Sequence, residues 1–440
     1  MFKTLRNAFK IKDIRSRLFY TFIMLIIVRF GCQLPIPGID SAQIKAFLES
    51  SLGDSFSLLN SFTGGSFESM SLFALNVTPY ITSSIMVQLL TIVIPALEEM
   101  QQDGAEGRKK MNQITRIITI FLAVVQALSI SIGFGKAGAL GPNNYNALTI
   151  ATMVICLTAG SSLVMWMGER ITEKGIGNGV SIILLVNIVS RMPNDFYNLY
   201  VMFMKGKTWV QAIEAAVIIV GVVLVTIVLV ILLQDGERKV PVQYAKKMQG
   251  RRLVGGQSSG IPIKVNTAGV LPVIFASSIL QFPSVIINLF GIQTTNPTVQ
   301  KILMLINSNY WFNKSYPVYT WGVLIYVFLI LFFAYFYTSI TFNPLEISNN
   351  LKKQGGFIPG IRPGKPTTEY LNKILNYIII IGAIGLTIVA LVPVFFAGMF
   401  KANVTFGGTS LIIVVGVVLE TIKNVESKML VRNYNGFLSE

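Results

Sequence analysis

The 440-residue chain contains no histidine and only two cysteines, Cys32 and Cys156. The first absence excludes imidazole general-base catalysis, Ser-His-Asp triads and histidine-ligated haem; the second excludes Cys/His zinc sites and a disulfide framework. Charge is scarce as well. Asp, Glu, Lys and Arg make up 13% of residues, about half of what soluble domains carry, while 52% are hydrophobic. Mean hydropathy is +0.63. A soluble domain of this size cannot hide so much apolar surface, so lipid must solvate part of the chain.

Ten apolar runs approach the ~20 residues that a helix needs to cross the hydrocarbon. They lie near 18–34, 72–95, 117–135, 147–167, 179–190, 210–233, 268–290, 318–340, 374–399 and 404–422. With the N-terminus inside, the inside segments hold 27 of the 36 Lys and Arg residues, which orients both termini towards the cytoplasm. The net charge of +16 follows mostly from this bias. The expected division is a cytoplasmic tail (1–17), an N-terminal half (18–190), an external hinge loop (191–209), a C-terminal half (210–425) and a second tail (426–440). The C-terminal half carries two long basic loops, 236–266 and 342–373, whose surplus charge suits an acidic or RNA-containing partner. The basic N-terminus and first run resemble a signal peptide, but Pro35-Ile36-Pro37-Gly38 follows instead of a small-residue cleavage site, so the run is read as a retained span.

The middle of every run lacks Asp, Glu, Lys and Arg; Arg29, Arg116, Arg191 and Glu214 lie near ends. Ion-coupled transporters usually place ionisable groups at the midplane, which weighs against a secondary transporter of a small solute, kept as the alternative. The one Gly-rich candidate for phosphate binding, Gly175-Ile176-Gly177-Asn178-Gly179, lacks the Lys-Ser/Thr of a P-loop and reads as a tight turn between spans. No cofactor, metal site or catalytic residue is expected.

Ten spans divide into two fives, and halves with an odd number of spans have opposite orientation. Spans two and seven both carry a proline, Pro79 and Pro272, and spans five and ten both open on glycines, at 175–179 and at Gly407-Gly408. Spans two and seven are also polar, with Thr82, Ser83, Ser84 and Gln88 on one and Ser277, Ser278 and Gln281 on the other. Two readings stay open: ordinary interhelical hydrogen bonding, or a seam that can part.

Several stretches resemble the bacterial SecY family, the channel subunit of the protein-secretion translocase, over nearly the whole chain. They are Phe62-Thr63-Gly64-Gly65, Phe73 to Ile81 (FALNVTPYI), Gly168 to Gly179 (GERITEKGIGNG), Arg238 to Ala245 (RKVPVQYA), Asn266 to Ser278 (NTAGVLPVIFASS), Gly356 to Gly364 (GFIPGIRPG) and Phe406 to Ser410 (FGGTS). The resemblance implies an all-α membrane protein of ten helices in two inverted five-helix halves around an hourglass pore. Unfolded secretory polypeptides would cross it, or leave sideways into lipid through a lateral gate between spans two and seven, formed by the seven polar residues above. The pore ring would be Ile81, Ile85, Leu184, Ile188, Ile274 and Ile413. A plug at about 55–70 would use Leu58, Leu59, Phe62 and Phe67 to dock under the ring, with Gly64 and Gly65 keeping it mobile. The basic loops would dock the SecA ATPase motor or the ribosome through Arg362, then Arg238 and Lys239, with Lys246, Lys247, Arg251 and Arg252. SecE-type and SecG-type subunits, signal peptides and preproteins complete the implied partners, and the bacterial plasma membrane the implied location.

Overall fold

The computed structural model describes residues 9–45, 63–136, 138, 140, 146–205, 209–244, 247–249, 252–254, 258–290, 297–307, 310–312, 317–400 and 408–436. Each of the ten apolar runs contains a helix within the described residues. They correspond to α1 (Lys12–Gly31), α2 (Thr78–Val93), α4 (Gly104–Lys136), α5 (Ala147–Lys174), α6 (Gly179–Phe203), α7 (Trp209–Asp235), α8 (Leu271–Phe290), α10 (Gly322–Thr341), α12 (Lys365–Phe400) and α13 (Gly408–Gly436). Short helices α3 (Pro95–Gln102), α9 (Pro297–Ile306) and α11 (Pro344–Lys353) lie between them. By length and composition five of the described helices can cross a membrane, and a sixth span forms if the bent pair Thr78–Thr91 and Pro95–Gln101 is counted as one.

The ends differ from expectation where polar residues interrupt an apolar pattern. The fifth helix does not stop at 190 but runs through Pro193 to Phe203, which leaves little of the expected hinge loop. Its extension is held by packing: Leu199 and Leu411 are buried together, with Met192, Phe203, Ile219, Val223 and Ile227 around them. The last helix likewise continues through most of the expected tail. Met429 within it and Val425 just before it join Ile14, Leu18 and Ile176 in a small cluster that ties α13 to α1.

The two basic loops are not loops alone. Strands β1 (Glu237–Tyr244) and β4 (Ser258–Lys264) form an antiparallel hairpin, and β5 (Gly356–Phe357) from the second loop adds to the other edge of β1. A smaller hairpin pairs β2 (Lys247–Gln249) with β3 (Arg252–Val254). Alternation along β1 turns Val240 and Val242 inward, against Ile263 of β4, Leu351 of α11, Ile358 just after β5 and Leu371 near the start of α12. One platform with its own core therefore replaces two independent loops.

Each five-helix half packs mainly on itself. On one side the halves meet where α13 crosses α6; on the other they meet where α8 crosses α4.

Candidate functional site

The starts of α6 and α2, which carry four of the expected ring residues, are set by local hydrogen bonds. Asn178 caps α6, its Oδ1 accepting from the amides of Val180 at 3.1 Å and Ser181 at 3.4 Å. The preceding turn is a packing node: the Ile176 amide donates to Thr21 Oγ1 at 3.3 Å, and Ile176 is buried. Before α2, Asn76 adopts a left-handed φ of 49°, its Oδ1 accepts from the Val77 amide at 2.9 Å, and its carbonyl accepts from Ser161 Oγ at 3.0 Å. Pro79 then occupies the first turn, where no amide is needed.

These starts fix the phase of the aliphatic residues. Ile81 and Leu184 lie against one hydrophobic cluster together with Val417 of α13, so both halves contribute to it. Ile85, Ile188 and Ile413 are buried, and Ile274 is half-buried. Val417 was missed by sequence reading. It stands one helical turn beyond Ile413, the same i, i+4 spacing that links Ile81 to Ile85 and Leu184 to Ile188.

The polar residues divide differently from the expected seam. Ser83 turns away from span seven: its hydroxyl bonds Thr119 Oγ1 and the Thr115 carbonyl of α4, inside its own half. Ser277 does the same in the other half, bonding Tyr326 Oη of α10 at 3.2 Å. Thr82 donates to the Thr78 carbonyl of its own helix at 3.0 Å. Ser84 is half-buried on α2, and Ser278 and Gln281 lie on α8 with side chains outside the described set. Gln88 does reach the other half, but towards span eight: Tyr337 Oη donates to its Oε1 at 3.4 Å. With α8 packed on α4 more than on α2, the contact between halves on this side runs over spans two, three, seven and eight. A serine hydroxyl follows its helix's phase, and composition does not reveal that phase.

Of the plug residues, Leu58, Leu59 and Phe62 lie outside the described residues. Phe67 is buried, but in a cluster with Ile36, Met70, Ala123 and Phe134 that contains none of the six ring aliphatics. Its ring centroid is 6.1 Å from that of Phe134. Gly64 and Gly65 have φ of 65° and 88°. A Cβ on Gly64 would lie 2.7 Å from Arg29 Nη1 and 3.1 Å from the Asn187 Cα, so this glycine serves close approach and a left-handed turn, not mobility. Segment 63–77 is bound down: the Ile36 amide donates to the Met70 carbonyl at 3.1 Å, and the Leu72 amide to the Leu34 carbonyl at 2.8 Å. Its charges are engaged too, Glu68 with Arg191 at 3.2 Å and Lys45 at 3.0 Å.

On the platform, Lys239 lies on the outer face of β1 beside Glu237, 3.1 Å away, and Arg238 is exposed at the strand's end. Lys247 and Arg252 sit on the small hairpin, whereas Lys246 and Arg251 are outside the described residues. Arg362 is exposed in a turn framed by Gly360 (φ 82°) and Gly364 (φ 103°), and its carbonyl accepts from Thr367 Oγ1 at 2.8 Å. Three charges of the GERITEKGIGNG stretch are engaged: Glu169 pairs with Arg116 at 2.7 Å, and Arg170 pairs with Glu173 at 2.6 Å while lying over the Trp166 ring.

A family model described as SecY matches residues 71–422. The protein translocase subunit SecY of Streptomyces coelicolor (strain ATCC BAA-471 / A3(2) / M145) is 42% identical, over 100% of both chains. Among solved structures, one described as the structure of a protein conducting channel aligns with a TM-score of 0.63 at 17% identity, covering 95% of this chain and 93% of that one. Sec61 in a canine ribosome-channel complex from the endoplasmic reticulum aligns with a TM-score of 0.62 at 16% identity, over the same shares. At these identities the structures establish the shared fold.

Proposed function

The chain belongs to the SecY family, and from that premise we propose how it works as the protein-conducting subunit of a translocase. It is a multi-pass membrane protein that passes unfolded polypeptides across the bilayer and releases apolar segments sideways into lipid. The observation that supports the mechanism is that Ile81 and Leu184 from one half and Val417 from the other pack against one hydrophobic cluster, with Ile85, Ile188 and Ile413 buried on the same helices. Branched aliphatics at a constriction seal by excluding water and deform around any side chain without binding it. Such a seal needs selectivity for unfolded chain, not chemistry, so the subunit itself is not an enzyme.

Energy comes from partners. The platform presents Arg238, Lys239 and Arg362 on one rigid unit, a surface for the carboxylates of a SecA-type motor or the phosphates of ribosomal RNA. A SecE-type subunit braces the two halves, and a SecG-type subunit joins the complex. The basic loops orient both termini and the platform to the cytoplasm of a bacterial plasma membrane. The transporter alternative is not favoured.

Replacing Ile274 or Ile413 with Asn tests the ring. Polar groups there let water persist, so preproteins with defective signal sequences should cross. Unchanged signal selectivity in both variants would remove the ring from these positions.

A further inference from the structure

We propose that the Gly-rich turn at 175–179 is a socket for the last helix, and that Lys428, seated in it, positions one half of the pore ring against the other. The proposal rests on the channel reading above. The turn joins α5 to α6, and its glycines are crowded. A Cβ on Gly175 would overlap Thr21 Oγ1 of α1, and one on Gly179 would overlap the Gly168 carbonyl of α5. Gly177 has a φ of 73°, and a Cβ there would lie 3.3 Å from Thr421 Oγ1 of α13. Two amides are engaged from inside the N-terminal half, Ile176 by Thr21 and Gly179 by Thr172 Oγ1 at 2.8 Å. The Gly175 carbonyl instead accepts from Lys428 Nζ of α13 at 3.2 Å.

Apolar packing completes the socket, where Ile176 and Val425 are buried in one cluster with Ile14. Val417, Thr421 and Val425 follow one another at i, i+4, i+8 along α13, and each meets the N-terminal half. Val417 lies on the cluster that Leu184 also borders, Thr421 stands at Gly177, and Val425 packs with Ile176. Lys423, by contrast, pairs with Asp235 of α7 at 2.7 Å, but both side chains are about half exposed and the pair is screened. The last helix thus belongs to the C-terminal half by chain order, while its cytoplasmic end is fastened to the N-terminal half. Lys428 and Ile413 are joined by 15 residues of continuous helix, about 22 Å. Leu184 and Ile188 follow the same turn on α6. Slippage or rotation of α13 in the socket would therefore carry Ile413 and Val417 past Leu184 and Ile188. The socket lies on the side where α13 crosses α6, away from the contact of α8 with α4, so it stays made while the channel works.

Lys428 is on this account a positioning residue. The test uses the chain with its SecE-type and SecG-type subunits in liposomes, driven by a SecA-type motor. The readout is passage of a preprotein with a defective signal sequence, as a ratio to the same preprotein with an intact one. Lys428→Met keeps the stem and removes the donor, and should raise that ratio about threefold. Lys428→Arg still donates and should stay at the parental ratio. A parental ratio in Lys428→Met, with or without a lower yield of folded complex, would overturn the socket, and so would an equal rise in Lys428→Arg. A second measurement holds the socket shut. With Cys32 and Cys156 replaced by Ala, a bifunctional thiol reagent joins Lys174→Cys to Lys428→Cys, so that a tether replaces the lost bond. The joined complex should translocate the intact preprotein at the unjoined rate; loss of transport would overturn the proposal, because α13 would then have to leave the turn. Ile413→Asn, run alongside, separates the two ideas. A raised ratio there with a silent Lys428→Met overturns the socket alone; silence in both overturns the socket together with the ring that it serves.

Discussion

Gln243 stands directly opposite Phe357 in the platform sheet, so two loops separated by spans seven and eight are one folded unit. Val242, fully buried beside that pairing, is its keystone. Val242→Asp would bury a carboxylate without a partner, at a cost of about 3 kcal/mol or more. We expect limited proteolysis to cut 236–266 and 342–373 together and faster, while the membrane helices stay intact. Cleavage in only one segment would show that the two are independent.

Arg362 tests the docking surface. Its side chain is exposed, and its backbone is held by Thr367 and by two left-handed glycines. Arg362→Glu should therefore leave thermal unfolding unchanged and abolish motor-driven translocation. Thr367→Val removes a bond worth about 1 kcal/mol and should weaken docking several-fold without changing surface charge. Normal translocation by the Glu variant would exclude Arg362 from docking.

The contact between Tyr337 and Gln88 makes a separate prediction. Interhelical hydrogen bonds in membranes average about 0.6 kcal/mol, so Tyr337→Phe should shift the gate towards opening by about threefold. A bifunctional thiol reagent should join cysteines at positions 88 and 337 in the resting complex, and more slowly once a preprotein is arrested in it. Ser83→Ala, by contrast, breaks bonds inside the first half and should lower stability while leaving signal selectivity alone. The reverse pattern would return Ser83 to the gate.

A helix in each of the ten apolar runs was legible because apolar runs of spanning length leave few alternatives in lipid. The six expected ring positions came from the family resemblance alone, since an apolar residue within a span otherwise reads as lipid-facing or core. Other features depend on tertiary partners. Arg29 and Arg191 looked like span-end charges, yet both point at residues 64–68. Gly64 looked like a source of mobility because sequence shows that a glycine is present, not what lies 3 Å away. The platform strands were readable in principle, since Arg238 to Tyr244 alternates with period two, but the basic charge and Gly/Pro content around it pointed to loops.

Gly160 offers a stability test away from charge. A Cβ there would overlap the Leu72 carbonyl, a backbone atom with no room to move because Leu72 is paired with Leu34. Gly160→Ala should cost several kcal/mol, within the range of severe overpacking, and lower the yield of folded complex sharply. Parental yield would mean that segment 63–77 is not clamped between α1 and α5.

The most direct test of the central claim is reconstitution in liposomes with SecE-type and SecG-type subunits and a SecA-type motor, scoring protection of a signal-bearing preprotein from added protease. The account predicts protection that requires ATP and disappears with Arg362→Glu. No protection in the presence of a demonstrably active motor would contradict it.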